Sequence, residues 1–232
     1  MLSCLSSPCP IRFTLEIIII ENSSPEWWYL PNDPIINSSK ISNLNKFELK
    51  LLVEKFYNDT YLVDQNACSS PHLVVWLGKD NIKLREKFWK YLLDVVKRKY
   101  DLTETASLDK YNQLCENILN LKSLKNQNNY ENFIFTNQLS SLDKNIHNLR
   151  GKWGFFYEYI TNDINKISKY VNNKYQTLTY FGLDKKEIKK FIVENEVNGI
   201  DRVVPIGQAL DMSFYWDGYD LNRILSRIVD IK

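Results

Sequence analysis

The chain has 232 residues, with 30 Lys and Arg against 28 Asp and Glu and a formal charge of +2. At 44% hydrophobic and 25% charged, it suits one large or two small globular domains with a real core, and excludes disorder, collagen and a disulfide-dense secreted scaffold. The near-neutral balance gives no electrostatic case for nucleic acid, and the longest aliphatic run, Ile17 to Ile20, falls far short of the ~20 residues a spanning helix needs.

Residues 1–43 differ from the rest. Residues 11–20 are rich in β-branched side chains and predict one strand. Residues 22–42, loaded with Ser, Pro and Asn around an aromatic island at Trp27, Trp28 and Tyr29, read as irregular connection. From Leu44 onward the spacing of Leu44, Phe47, Leu51 and Phe56 is helical, and 59–70 reads as loop. Residues 73–77 (LVVWL) suit a short buried strand. Residues 81–100 form an amphipathic helix with Leu84, Phe88, Tyr91, Leu92 and Val95 on one face. Residues 107–121 form another, whose apolar stripe contains Cys115, so that thiol is expected in the core. Strands follow at 133–135, 153–160, 175–181 and 202–206, alternating with helices at 163–171, 185–196 and 221–228. That alternation predicts an α/β fold, with a mostly parallel sheet flanked by helices.

Glycine is scarce. The seven glycines build neither a GxGxxG nor a GxxxxGK[ST] phosphate loop. Lys (23) far outnumbers Arg (7) and Asn reaches 25, a compositional bias that lowers the weight of any single Lys-rich or Asn-rich stretch. The four cysteines, Cys4, Cys9, Cys68 and Cys115, include no CxxC pair, which fits a reducing compartment. The first 20 residues lack the basic start and unbroken apolar core of a signal peptide, so the expected location is cytoplasmic.

Cys68 is the candidate nucleophile. Its setting, Asp64-Gln65-Asn66-Ala67-Cys68-Ser69-Ser70-Pro71, is small and polar, unlike the aliphatic ring around a core thiol, and a loop cysteine can act as thiolate. The backbone N–H groups that follow it and the Asn66 amide are suitable donors to a developing oxyanion. His72 lies close enough in sequence for a Cys–His hydrolase, though no acidic orienter stands nearby. Two His and four scattered Cys give no metal-ligand spacing.

The stretch 58–71 (NDTYLVDQNACSSP), together with 174–183 (KYQTLTYFGL) and 199–221 (GIDRVVPIGQALDMSFYWDGYDL), resembles the LuxC-type acyl-CoA reductases, distant relatives of the aldehyde dehydrogenases. The resemblance covers residues 44–232 and implies an aldehyde-dehydrogenase-like catalytic domain there, after the irregular segment 1–43. It implies that Cys68 attacks a long-chain acyl-CoA, or an acyl-protein donor, and that CoA leaves. NADPH then reduces the acyl-cysteine thioester to fatty aldehyde, which feeds luciferase in luminous organisms. Glu158 matches the region of a glutamate that contacts the nicotinamide ribose, the other reading being a strand carboxylate in water. The segment Trp216 to Asp220 reads as a turn in which Gly218 supplies the positive φ.

The family's nucleotide-binding half precedes its cysteine. Residues 1–43 are too few for a Rossmann unit, so a complete cofactor domain is not expected in this chain. Three rival readings follow: an inactive fragment, a non-catalytic or partner-dependent subunit whose second chain supplies the cofactor domain, and a Cys–His thioesterase using His72.

Overall fold

The computed structural model describes residues 32–172, 175–216 and 218–231. Strand β1 (Ile35–Asn37) leads into helices α1 (Ser38–Ser42) and α2 (Lys46–Tyr61), then β2 (Leu73–Leu77), α3 (Ile82–Lys99) and α4 (Glu104–Asn120). Strands β3 (Leu124–Tyr130), β4 (Ile134–Leu139) and β5 (Phe155–Thr161) follow, then α5 (Asn165–Ser168), β6 (Thr177–Phe181), α6 (Lys185–Glu194) and β7 (Arg202–Pro205). A hairpin of β8 (Tyr215–Trp216) and β9 (Tyr219–Asp220) precedes α7 (Leu221–Leu225).

Strands β1 to β7 form one sheet in the order β3-β4-β5-β2-β1-β6-β7. Only the β3–β4 pair is antiparallel. The continuous apolar run of β2 follows from its central place, because a parallel strand is covered on both faces. On one face Ile36, Val74, Trp76 and Phe156 pack under α2 and α3. There Phe56 and Phe88 meet edge to face at 5.4 Å, and Phe88 meets Trp89 at 5.2 Å. The other face carries Ile35, Leu73, Val75, Phe155, Tyr157 and Leu178, with Leu114 of α4 against them.

The α/β architecture follows the sequence reading, and several elements depart from it. Residues 35–42 are not irregular: β1 sits between β2 and β6 with Ile35 and Ile36 fully buried, and Asn37 caps α1 by accepting from the Ser39 and Lys40 N–H groups. A three-residue strand is too short to carry a period. The expected strand at 11–20 and the aromatic island at Trp27 to Tyr29 lie outside the described residues. Helix α2 runs to Tyr61, so 59–61 is helix rather than loop. Strand β3, sequence LKNQNNY, has no hydrophobic alternation; it is a polar edge strand recruited by its hairpin with β4.

Helix α4 overturns the expectation for Cys115. Leu114 is buried, whereas Leu108, Tyr111, Ile118 and Leu119 are exposed, and Cys115 is exposed with them. The helix turns its polar edge to the sheet, where hydrogen bonds are available. Lys110 Nζ donates to the Trp153 carbonyl at 3.0 Å, and Asn117 Nδ2 donates to the Tyr157 hydroxyl at 2.8 Å.

The C-terminal segment is tied back to α2. Asp59 accepts from Gly207 N at 2.6 Å and Ala209 N at 3.0 Å. The Arg202 guanidinium donates to the carbonyls of Gln208, Ala209 and Asp211 and stacks over Trp216 at 4.7 Å. Gly218, at φ +77°, makes the β8–β9 turn as the sequence suggested. Among the described residues no helix is long and apolar enough to cross a membrane.

Candidate active site at Cys68

Residues 62–72 join the end of α2 to the start of β2. They therefore lie along the edge where the parallel strands begin, beside Asn32 ahead of β1 and Gly154 ahead of β5. Asp64 and Gln65 both take left-handed backbone angles, φ +54° and +59°, a conformation uncommon outside glycine. They reverse the chain, with Gln65 N donating to the Thr60 carbonyl at 2.7 Å.

The Gln65 side chain is fully buried and uses its amide on both sides. Nε2 donates to the carbonyls of Pro71 (2.7 Å) and Phe155 (2.9 Å), and Oε1 accepts from Gly154 N (2.9 Å) and Phe155 N (3.0 Å). One amide thus joins the end of the loop to the start of β5. Gly154 permits this approach: at φ +88°, a Cβ there would sit 2.3 Å from the Phe133 carbonyl oxygen.

Cys68 stands on a four-residue turn, closed by Ser70 N donating to the Ala67 carbonyl at 3.0 Å. Cys68 and Ser69 are its central residues, and neither has positive φ. Their backbone N–H groups have no acceptor among the described residues, and the thiol is half-buried and free. Asn32 holds the turn from below. Its Nδ2 donates to the Ser69 carbonyl at 2.8 Å, its carbonyl accepts from His72 N at 3.2 Å, and its Oδ1 accepts from Thr179 N at 3.0 Å. The Arg150 guanidinium lies 3.5 Å from the Ala67 carbonyl.

The other sequence candidates are placed differently. Asn66 is exposed and donates from Nδ2 to the Asp64 carbonyl at 3.1 Å. That bond is local to the loop, and the backbone N–H groups of Cys68 and Ser69 stand nearer the thiol in the chain. Glu158 does not stand in water, which corrects the reading of a solvated strand carboxylate: it is 1% exposed and lines a cavity shared with Arg85, Trp89 and Gln138. Its carboxylate is buried on the α3 face, where Oε1 accepts from the indole N–H of Trp76 (2.7 Å) and of Trp89 (2.9 Å) and Oε2 accepts from Arg85 (3.2 Å).

His72 is buried, and Nδ1 accepts from Gly151 N at 3.2 Å. Burial and the nearby Arg150 charge hold its pKa well below the usual histidine value. It is a neutral ring with no hydrogen bond to Cys68, contrary to a Cys–His pair. Beside it, Asp33 accepts from Leu73 N at 3.1 Å. Burial pushes its carboxyl up to about 7, against the lowering effects of Leu73 N–H, Tyr175 and Arg150. Asn32, Asp33 and Gln65 escaped the sequence reading. The first two lie in the stretch taken as irregular, and nothing in spacing pairs Asn32 with Ser69, 37 residues away.

The arrangement can present a thiol beside two N–H groups that have no acceptor among the described residues, the kind of donor that stabilises a tetrahedral oxyanion on a carbonyl bound to sulfur. Among the described residues it shows no nicotinamide site. No glycine loop is present in the sequence, and the one carboxylate expected at the ribose is bonded to Trp76, Trp89 and Arg85.

No family model matches the sequence. No curated protein matches it either. Solved structures do match the fold. Aldehyde dehydrogenase 21 from Physcomitrella patens, seen with its reaction product succinate, is 12% identical over 79% of this chain and 39% of its own, with a TM-score of 0.50. An NAD-dependent aldehyde dehydrogenase from Sinorhizobium meliloti is 8% identical over 79% of this chain and 38% of its own, with a TM-score of 0.49. Betaine aldehyde dehydrogenase from Staphylococcus aureus, seen with NAD+, is 13% identical over 75% of this chain and 37% of its own, with a TM-score of 0.45. The chain therefore spans about two fifths of these neighbours' length. At such identities the likeness is one of fold: the chain carries an aldehyde-dehydrogenase-like α/β sheet, mostly parallel and flanked by helices.

Proposed function

We propose that this chain is the thiol-bearing half of a nicotinamide-dependent carbonyl oxidoreductase, and specifically that Cys68 accepts the acyl group of a long-chain acyl-CoA or acyl-protein. The observation that carries the reading is the Cys68 turn, with its free thiol and two N–H groups without an acceptor among the described residues, on a buried scaffold held by Gln65 and Asn32. The thiolate attacks the thioester carbonyl, the new C–S bond forms, and the C–S bond to CoA breaks. The CoA thiolate then takes a proton from solvent. One thioester replaces another of similar energy, so no water-activating base is required, which agrees with a buried His72 whose Nδ1 is taken by Gly151 N. The sequence resemblance favours reduction to aldehyde as the next stage, with NADPH as reductant, and the aldehyde-dehydrogenase-like fold supports nicotinamide chemistry in general. The described residues do not fit that cofactor, so its site is assigned to a part of the protein outside them or to a second chain.

Exposed apolar surface favours the partner-dependent form of this reading. Leu108, Tyr111 and Ile118 on α4, and Met212, Phe214 and Ile228 near the C-terminus, are each more than half exposed, and apolar side chains grouped on one surface are candidates for a partner's contact. The test is product analysis with a long-chain acyl-CoA and NADPH, with and without proteins co-purified from the native source. Fatty aldehyde only in the presence of a partner supports the proposal. Free fatty acid from the chain alone would replace it with a thioesterase.

A further inference from the structure

The amide of Gln65 does more than fill a gap. It bonds both the end of the cysteine loop, at the Pro71 carbonyl, and the start of β5, at Gly154 N, Phe155 N and the Phe155 carbonyl. The chain accepts two consecutive left-handed non-glycine residues, Asp64 and Gln65, to deliver it there. Backbone of that kind persists where the surroundings enforce it, and it clusters at functional sites. Three residues later stand the thiol and the two free N–H groups of Cys68 and Ser69. His72 Nδ1, accepting from Gly151 N at 3.2 Å, makes a second and single bond between the same two segments.

We propose that Gln65 is a positioning residue for acyl transfer: by tying the Cys68 turn to β5, it fixes the angle at which the Cys68 and Ser69 N–H groups meet the oxyanion. The inference rests on the reading that Cys68 takes an acyl group. It separates two properties that a general loss of structure would change together. Thiol access depends on exposure alone. Attack on a carbonyl depends also on the aligned N–H pair, whose loss at one donor is worth about 100-fold in comparable sites.

The experiment compares two probes at Cys68 by peptide mass spectrometry on the whole chain. Iodoacetamide alkylates sulfur and develops no oxyanion. p-Nitrophenyl acetate acylates it: the C–S bond forms, the ester C–O bond breaks, p-nitrophenolate leaves and the thiol proton passes to buffer. The variants are Gln65→Glu, which cannot donate to the two carbonyls, Gln65→Met, which matches the shape without polarity, and Gln65→Asn, one methylene short. Leu62→Ala, at an exposed position of the same loop, is the control. The expected result is acylation reduced tenfold or more in the Gln65 variants that melt cooperatively, with alkylation within threefold of wild type and Leu62→Ala unchanged in both.

Parallel loss of both rates, unchanged acylation, or failure of all three variants to fold overturns the proposal. So does a wild-type Cys68 that alkylates but resists the ester. A wild-type chain acylated by the ester and not by acyl-CoA leaves Gln65 in its role and removes the acyl-CoA reading instead.

Discussion

Arg85 on α3 and Glu158 on β5 form an ion pair of 3.2 Å between side chains that are 7% and 1% exposed. Two indole N–H groups, from Trp76 and Trp89, complete the carboxylate's shell, and Asp80 takes the outer side of the guanidinium at 3.1 Å. A buried pair of this kind adds little net stability, but removing one member strands the other.

Glu158→Ala therefore leaves Arg85 without its buried partner and two indoles without acceptors. The expected cost is about 3–5 kcal/mol, read as a melting temperature about 10 °C lower, while the rate of Cys68 alkylation in the folded protein stays unchanged. A loss of Cys68 reactivity without loss of stability would return Glu158 to the active site.

Lys110 and Asp33 shape the pH dependence of stability. Lys110 is held by the carbonyls of Asn132 and Trp153 under the Phe135 ring, and burial brings its pKa down to about 7. Between there and the ordinary lysine value the unfolded chain binds more protons, so this group makes stability rise as pH rises from about 7 to 10. Asp33 has the opposite shift. Its folded pKa is raised to about 7, so its contribution is present below the ordinary aspartate value and lost as pH rises through 7. Urea denaturation across pH should show both slopes; Lys110→Met should flatten the alkaline one and Asp33→Asn the acidic one.

The sheet was readable because β2 is a continuous apolar run, β5 and β6 are rich in aromatic and β-branched residues, and α3 carries a clean stripe, patterns that burial imposes on sequence. Strands β1 and β3 were not. The first has three residues, and the second owes its place to pairing with β4 rather than to any apolar face. The same division holds at the site. Cys68 stood out by its small polar neighbours, but its supports, Asn32 and Gln65, act through backbone partners that only the fold brings near. Helix α4 misled because an apolar stripe can face outward when the polar edge has bonds to make.

Asp59 gives a separate test of how the C-terminal segment is held. Asp59→Ala leaves the N–H groups of Gly207 and Ala209 without their acceptor, at about 1–3 kcal/mol for each group left buried and unpaired. Hydrogen exchange should accelerate at 206–211 in this variant and remain unchanged in β2 and β5. Uniform acceleration throughout would mean that the clasp is global rather than local.

The two described cysteines should separate by reagent size. Cys115, exposed on α4, should react faster than half-buried Cys68 with a bulky maleimide. Cys115→Ser should change stability by less than about 0.5 kcal/mol, as surface substitutions do. A slow Cys115 on the free chain would show that its helix face is covered in solution.

The central claim is that Cys68 takes an acyl group, and intact-protein mass spectrometry after incubation with a long-chain acyl-CoA tests it most directly. The account predicts a single acyl adduct that hydroxylamine removes and that is missing in Cys68→Ala. A folded protein that acquires no adduct, or an adduct that persists in Cys68→Ala, would contradict it.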